Sequence, residues 1–131
     1  MHRVLIVEDE APIAKMYQFK LEQNGYEVQC AYNGQAGLQA TKEFNPDLIL
    51  LDLKMPLMSG EVMLEKLRKQ AWGSHIRVVI LTNISRDEAP SSLRLLNVDR
   101  YVVKAHYTPL QVIGVVDELL SPSFSGKKTA G

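Results

Sequence analysis

Cysteine is nearly absent from this chain of 131 residues, since Cys30 is the only one, and an intrachain disulfide is therefore excluded. A protein without disulfides suits a reducing compartment, so we expect a cytoplasmic protein. Cys30 lies inside a predicted strand, where thiols are usually buried and unreactive. It is therefore a poor candidate for a nucleophile.

Long hydrophobic runs and an excess of one charge are also absent. The longest apolar runs span four residues, whereas a membrane helix needs about 20. The first residues enter an apolar run directly, so we expect no signal peptide. Fifteen basic residues balance fifteen acidic ones, which is not the charge pattern of a nucleic-acid-binding surface. We expect neither membrane nor nucleic-acid binding.

The apolar residues that are present follow strand-like and helix-like patterns in alternation. Strands are predicted at residues 3–7, 26–31, 47–51, 75–81 and 99–103. Helices are predicted at residues 11–24, 33–44, 59–69, 85–97 and 108–120. Asn33, Ser59 and Thr108 are the predicted N-terminal caps of three of these helices.

The fourth predicted helix carries conflicting signals. Ser85 and Glu88 have the spacing of a capping box. Pro90, however, lacks an amide donor, and a proline inside a helix costs about 3 kcal/mol. We therefore expect this helix either to begin near Pro90 or to have a loose first turn, and to end at a left-handed Asn97.

Five strand–helix units joined by short connections predict a parallel sheet with helices on both faces. The fold class is therefore α/β, a three-layer flavodoxin-like sandwich with a five-stranded sheet of order 2-1-3-4-5. We expect one domain over residues 1–120. Residues 121–131 have no periodicity and predict a flexible tail.

Carboxylates end two strands that this order makes neighbours. Glu8 and Asp9 follow the first strand, and Asp52 follows the third. Parallel strands deliver such residues to one edge of the sheet, where open α/β proteins keep their sites. Three acids there would repel one another unless a cation lies between them. Mg²⁺ prefers carboxylates, phosphate oxygens and water.

The other two strand ends complement these acids. Thr82 follows the fourth strand, and Lys104 follows the fifth. A nucleophile, a metal ion and fixed donors for phosphoryl oxygens are nearly all that phosphoryl transfer requires. The sequence therefore predicts a phosphoryl site at this edge.

The sequence resembles the receiver domain of two-component response regulators from about residue 3 to 120. The segments that carry the resemblance are Val7-Glu8-Asp9, Leu50-Leu51-Asp52-Leu53-Lys54-Met55-Pro56, Gly60, Leu81-Thr82 and Tyr101-Val102-Val103-Lys104. Each segment alone is weak evidence. Their order and their placement at strand ends make the set specific.

The resemblance implies a role for each acid. Asp52 would accept a phosphoryl group from a phosphohistidine on a sensor histidine kinase or a phosphotransfer protein. Asp9 would bind Mg²⁺ directly, Glu8 would act through water, and the backbone carbonyl of Lys54 would be a further ligand. Asp52 itself would complete the metal site.

The remaining residues have implied roles in binding and switching. Lys104 would pair with phosphoryl oxygens, and Thr82 would hydrogen-bond to one of them. Tyr101 would change rotamer on phosphorylation and alter the surface of the fourth helix, fifth strand and fifth helix. An output protein of unknown identity would read that surface. Such a domain catalyses only its own phosphorylation and dephosphorylation, so we do not expect an enzyme in the usual sense.

Four residues depart from the family pattern or modify it. Ala105 replaces the usual proline after Lys104, and a non-proline cis bond costs about 3–4 kcal/mol. We therefore predict a trans bond there. Asn83 stands where a small residue is usual. Lys54 and Ile84 flank the expected path of the hydrolytic water and predict a long-lived aspartyl phosphate.

Three further interpretations stay open. A pseudo-receiver would switch partners without phosphate, and Ala105, Asn83 and Pro90 favour it. A hydrolase of the haloacid dehalogenase type would need an acid where Lys54 stands. The last helix also has more apolar residues than one buried stripe needs, which predicts a weak homodimer through it.

Overall fold

The computed structural model describes residues 1–121. The strands are β1 (Arg3–Val7), β2 (Glu27–Ala31), β3 (Leu48–Leu51), β4 (Arg77–Thr82) and β5 (Arg100–Val103). The helices are α1 (Ala11–Gln23), α2 (Gly34–Phe44), α3 (Gly60–Arg68) and α4 (Pro109–Leu120). All strand pairs are parallel in the order β2-β1-β3-β4-β5, which confirms the predicted sheet.

The predicted caps begin the helices as expected. Asn33 and Ser59 accept hydrogen bonds from backbone amides in the first turns of α2 and α3. Thr108 and Gln111 form a complete capping box at the start of α4. Asn97 is left-handed with φ 55°, as predicted. Local sequence therefore determines these boundaries.

The predicted fourth helix is wrong, because the chain there forms two short 3-10 turns, Arg86–Glu88 and Ser91–Leu95. Pro90 forces the residue before it out of the helical region, and Ala89 is extended with ψ 146°. The Ser85 side chain caps no backbone amide and instead contacts the Glu88 carboxylate at 3.3 Å. The proline thus overrides the capping signal.

Helices cover both faces of the sheet. On one face, Ile6 and Leu50 pack in one cluster with residues of α1 and α4. On the other face, Leu5 and Ile49 pack with residues of α2 and α3. Every residue of β3 is buried. Because β3 is central and covered on both sides, its downstream end is held rigidly.

Several other expectations can be compared with residues 1–121. Most apolar residues of α4 are buried, so the surplus that motivated a homodimer shrinks to Leu110, 73% exposed, and the half-buried Val115. No cis peptide bond occurs in this range, so Lys104-Ala105 is trans as predicted. None of its helices is long and apolar enough to cross a membrane. The predicted tail, apart from Ser121, lies outside the described residues.

Cys30 is half-buried in β2, as the sequence indicates. Its thiol lies 3.4 Å from a side-chain oxygen of Gln18. Burial raises the pKa of the Cys30 thiol, so little thiolate forms near neutral pH. These features support the interpretation that Cys30 is not a nucleophile.

Candidate functional site at the carboxyl edge of the sheet

At the edge that carries the acids, the backbone continues the hydrogen-bond pattern of the sheet. The Glu8 amide donates to the Ala31 carbonyl, and the Asp52 amide donates to the Val7 carbonyl, each at 3.0 Å. Both acids therefore continue the hydrogen-bond ladder one residue past their strands. This pairing fixes the backbone from which their side chains project.

The three predicted acids come together. One carboxylate oxygen each from Glu8, Asp9 and Asp52 lie within 4.8 Å of one another. Glu8 and Asp52 are 3% and 8% exposed, whereas Asp9 is exposed. Oxygen donors from carboxylates at this spacing, with one side open, fit a hard divalent cation.

Lys104 lies between two of these acids. Its ammonium group donates to the Glu8 carboxylate and, at 3.2 Å, to Asp52 Oδ2. The Lys104 side chain is only 10% exposed. Buried carboxylates are tolerable when a charged donor compensates them, and Lys104 supplies that charge here.

Burial and the neighbouring charges shift the pKa values of Glu8 and Lys104 in opposite directions. Burial raises the pKa of Glu8, although the Lys104 contact opposes the shift. Burial alone would lower the pKa of Lys104, but its bonds to Glu8 and the charge of Asp52 raise that pKa overall. Lys104 therefore stays protonated and offsets part of the negative charge of the two acids.

Thr82 and Tyr101 are joined through the backbone of one residue. Thr82 is buried, and its Oγ1 accepts from the Ile84 amide at 3.4 Å. The Tyr101 hydroxyl donates to the Ile84 carbonyl at 2.8 Å. The Arg86 guanidinium lies over the Tyr101 ring, 5.9 Å from its centroid. No sequence signal indicated the part that Ile84 and Arg86 play here.

The loop after β3 returns against the end of that strand. The Lys54 amide points to Asp52 Oδ1 at 3.4 Å, and the Lys54 side chain is exposed. The Gly60 amide donates to the Leu53 carbonyl at 2.8 Å. A Cβ on Gly60 would lie 2.1 Å from the Asp52 carbonyl oxygen, so only glycine fits this contact.

Comparisons with known proteins agree with this geometry. The chain is 41% identical over 103 residues to an uncharacterised transcriptional regulatory protein, YkoG, of Bacillus subtilis, a match covering 77% of this chain and 43% of that protein. The chain therefore spans less than half the length of that relative.

Solved structures are similar over nearly the whole chain. The response regulator TrrA of Thermotoga maritima, solved in complex with Mg²⁺ and BeF, is 33% identical, with TM-score 0.78, covering 92% of this chain and all of that one. The chemotaxis protein CheY4 of Vibrio cholerae is 26% identical, with TM-score 0.84, covering 92% and 99%. The model of the response regulator receiver domain matches residues 4–112. The chain thus belongs to the receiver domain family of two-component response regulators.

Proposed function

We propose that this receiver domain accepts a phosphoryl group on Asp52 from a phosphohistidine of a sensor histidine kinase or a phosphotransfer protein. The observation that carries the proposal is the position of Lys104, which contacts both Asp52 and Glu8 beside a third carboxylate. An ion pair that only stabilises the fold would not need a third carboxylate. A phosphoryl-transfer site needs one to help hold its metal ion.

The residues present fit a magnesium site. Glu8, Asp9, Asp52 and the backbone carbonyl of Lys54 would hold Mg²⁺, which supplies positive charge for the phosphoryl oxygens when bound. Asp9 is the exposed member of the acid cluster, and it is therefore open to a hydrated ion. All four residues would be ligands of the ion, and Glu8 would bind it through a water molecule.

The positions of the side chains support one transfer step. A carboxylate oxygen of Asp52 attacks phosphorus, the phosphorus–nitrogen bond of the phosphohistidine breaks, and its electron pair stays on the imidazole. Lys104 pairs with one phosphoryl oxygen, and the Thr82 hydroxyl donates to another. Water later hydrolyses the acyl phosphate. Acceptance and dephosphorylation are thus self-catalysed, and the protein turns over no separate substrate.

The link through Ile84 supports a switch. When the Thr82 side chain moves toward a phosphoryl oxygen, its long contact with the Ile84 amide breaks and the Ile84 backbone can shift. Because the Ile84 carbonyl accepts from the Tyr101 hydroxyl, such a shift would release the ring. The surface of the 3-10 turns, β5 and α4 would then change for an output partner. The same surface, with the exposed Leu110, is where a weak homodimer would form.

No feature of the site favours the two alternatives. A pseudo-receiver has no need of the acid cluster, the lysine and the threonine, yet all are present in the arrangement described. A dehalogenase-type hydrolase would require an acid at the position of Lys54.

A mass measurement tests phosphoryl acceptance. Incubation with acetyl phosphate and Mg²⁺ is expected to add the mass of one phosphoryl group to the intact protein, and Asp52→Asn is expected to abolish the adduct because its amide is not a nucleophile. Asp47→Asn is the matched control, since Asp47 lies at the opposite end of β3 and is exposed. An equal adduct on Asp52→Asn, or none on the natural protein, would refute the proposal.

The lifetime of the adduct tests the role of two neighbouring side chains. Lys54 is long and exposed, and Ile84 is apolar and half-buried. If they shield the phosphoryl group from water, Lys54→Ala combined with Ile84→Ala will shorten the half-life of the adduct severalfold, measured by intact mass after removal of acetyl phosphate. Lys42→Ala is the control. An unchanged half-life contradicts the shielding.

A further inference from the structure

The segment that replaces most of the predicted fourth helix buries little apolar surface. Among residues 91–97, which we call the 3-10 segment, only Leu93 is buried, and Leu95 is 85% exposed. Its backbone is held by short-range hydrogen bonds, such as those that the amides of Leu93 and Leu96 donate. Segments with few buried contacts open at a low free-energy cost. The position of the 3-10 segment therefore depends on its polar contacts with the neighbouring helix α3.

Arg68 of α3 holds the carboxyl end of the 3-10 segment. Its guanidinium donates to the carbonyls of Leu96 and Asn97 at 2.8 and 3.0 Å. It also donates to the carbonyls of Gly73 and Ile76, at 3.0 and 2.8 Å, in the loop before β4. Four hydrogen bonds from one charged, half-buried group make a strong attachment. This end of the segment is therefore fixed to α3 and to the loop before β4.

A single side-chain bond holds the amino end of the 3-10 segment. The Ser92 hydroxyl donates to the Glu61 carboxylate, and both side chains are half-buried. Glu61 lies in the first turn of α3, where the helix dipole favours an acid, and a carboxylate is a strong acceptor. One bond is nevertheless easier to break than the four that Arg68 makes. The amino end is therefore the end that can be released.

Glu61 also adjoins the backbone of the candidate site. Gly60, the residue before it, donates its amide to the Leu53 carbonyl at 2.8 Å. A Cβ on Gly60 would lie 2.1 Å from the Asp52 carbonyl oxygen, so no free space separates the end of β3 from the start of α3. A displacement of the backbone at Asp52 therefore moves the first turn of α3, which carries Glu61. The bond to Ser92 connects that movement to the 3-10 segment.

We propose that the bond between Glu61 and Ser92 is a releasable restraint, which couples the state of Asp52 to the position of the 3-10 segment. While Asp52 is unmodified, the restraint holds the segment against α3. A phosphoryl group on Asp52 shifts the first turn of α3 and breaks the bond, and the segment then moves about its attachment at Arg68. This route runs along α3 and is separate from the link through Ile84. The inference rests on the proposed function, because it requires Asp52 to take up a phosphoryl group.

Ser92→Ala tests the restraint, since it removes the hydroxyl with little change in size. In EDTA, the amides of Leu93 and Leu96 are expected to exchange hydrogen severalfold faster in this variant, as measured by NMR. Coupling is reciprocal, so loss of the restraint should also favour the modified state. Beryllofluoride with Mg²⁺ is therefore expected to bind the variant about fivefold more tightly. A titration of beryllofluoride at constant Mg²⁺, followed by amide chemical shifts, measures this affinity.

Two matched sets of variants separate the bond from other effects. Ser91→Ala makes the same change at the exposed neighbouring residue, and it is expected to leave exchange and affinity unchanged. Glu61→Gln keeps an oxygen that can accept from Ser92 and is expected to retain most of the restraint, whereas Glu61→Ala is expected to behave like Ser92→Ala. Unchanged exchange and affinity in Ser92→Ala, equal effects of the two serine variants, or weaker binding of beryllofluoride by Ser92→Ala would each overturn the proposal.

A double variant tests whether the route along α3 is separate. Tyr101→Phe removes the hydroxyl that donates to the Ile84 carbonyl. If the two routes are separate, the effects of Ser92→Ala and Tyr101→Phe on beryllofluoride affinity are expected to multiply. A double variant that binds no differently from one of the single variants would show a single shared route and would overturn the separate one.

Different measurements decide the restraint and the phosphoacceptor function. If intact mass shows the phosphoryl group on the natural protein, but Ser92→Ala binds beryllofluoride as the natural protein does, the restraint alone is refuted. If the natural protein takes up no phosphoryl group, the phosphoacceptor function is refuted, and the coupling of the restraint to Asp52 is refuted with it.

Discussion

Replacing Lys104 with methionine is expected to lower the free energy of unfolding of the metal-free protein by about 3–5 kcal/mol. Methionine keeps the length of the side chain but removes the ammonium that donates to Glu8 and Asp52. Two nearly buried carboxylates would then face each other without a compensating charge. Urea unfolding in EDTA measures the loss.

Magnesium and pH should both modify this penalty. Mg²⁺ bound by the acid cluster restores positive charge, so adding it should recover much of the lost stability. Burial already raises the pKa of Glu8, and removing Lys104 raises it further. A carboxyl with a raised folded pKa is favoured when protonated. The variant should therefore be nearest to the natural protein below the unfolded pKa of Glu8, and it should lose stability as pH rises through the folded value.

A second lysine provides the control for this prediction. Lys42 is exposed on α2. Lys42→Met should change the free energy of unfolding by less than about 0.5 kcal/mol, both in EDTA and with added Mg²⁺. If Lys104→Met is as stable as the natural protein in EDTA, the two acids are not held by this lysine. A penalty that does not change with Mg²⁺ would show that the cation and the ammonium are not interchangeable in charge.

Gly60→Ala is expected to destabilise the protein by about 3 kcal/mol. Its Cβ would lie 2.1 Å from the carbonyl oxygen of Asp52 and 2.9 Å from the carbonyl carbon. Both atoms are backbone, so no side chain can rotate away, and the end of β3 has to move. Because that end carries Asp52, the proposed phosphoacceptor, phosphoryl acceptance measured by mass should also fall in the fraction that remains folded.

Gly114→Ala is the matched control with the opposite sign. Gly114 lies inside α4, and a Cβ there meets nothing within 4 Å. Alanine is the better helix former, so stability should rise by up to about 1 kcal/mol. Urea midpoints of both variants decide the question. If Gly60→Ala unfolds at the same midpoint as the natural protein, the loop after β3 is more adaptable than its contacts indicate.

The predicted fourth helix shows that a helix-capping pattern in the sequence is not sufficient to predict a helix. Ser85 and Glu88 match a capping box, but Pro90 constrains Ala89 to an extended backbone, and the cap is not made. Both signals were visible in the sequence. The proline decides between them locally, and Arg68 and Glu61 of α3 then contact the 3-10 segment where it lies.

The predicted site residues illustrate the opposite case. The acids follow apolar strands directly and Thr82 is the last residue of β4, so the strand order alone brought them to one edge. Parallel strands require this, whatever their loops do. By contrast, the exposed Leu57 has a left-handed backbone with φ 68°, which no turn signal indicated for a leucine.

The sequence by itself determined the α/β class, the sheet order, three helix caps and the meeting of the three acids, because these depend on local periodicity and on the rules for parallel strands. Only the tertiary structure decided that Lys104 bonds to Glu8, 96 residues away, and that Ile84 joins Thr82 to Tyr101. Those features depend on distances between side chains on separate elements. Such distances are fixed by packing in three dimensions, and no spacing along the chain encodes them.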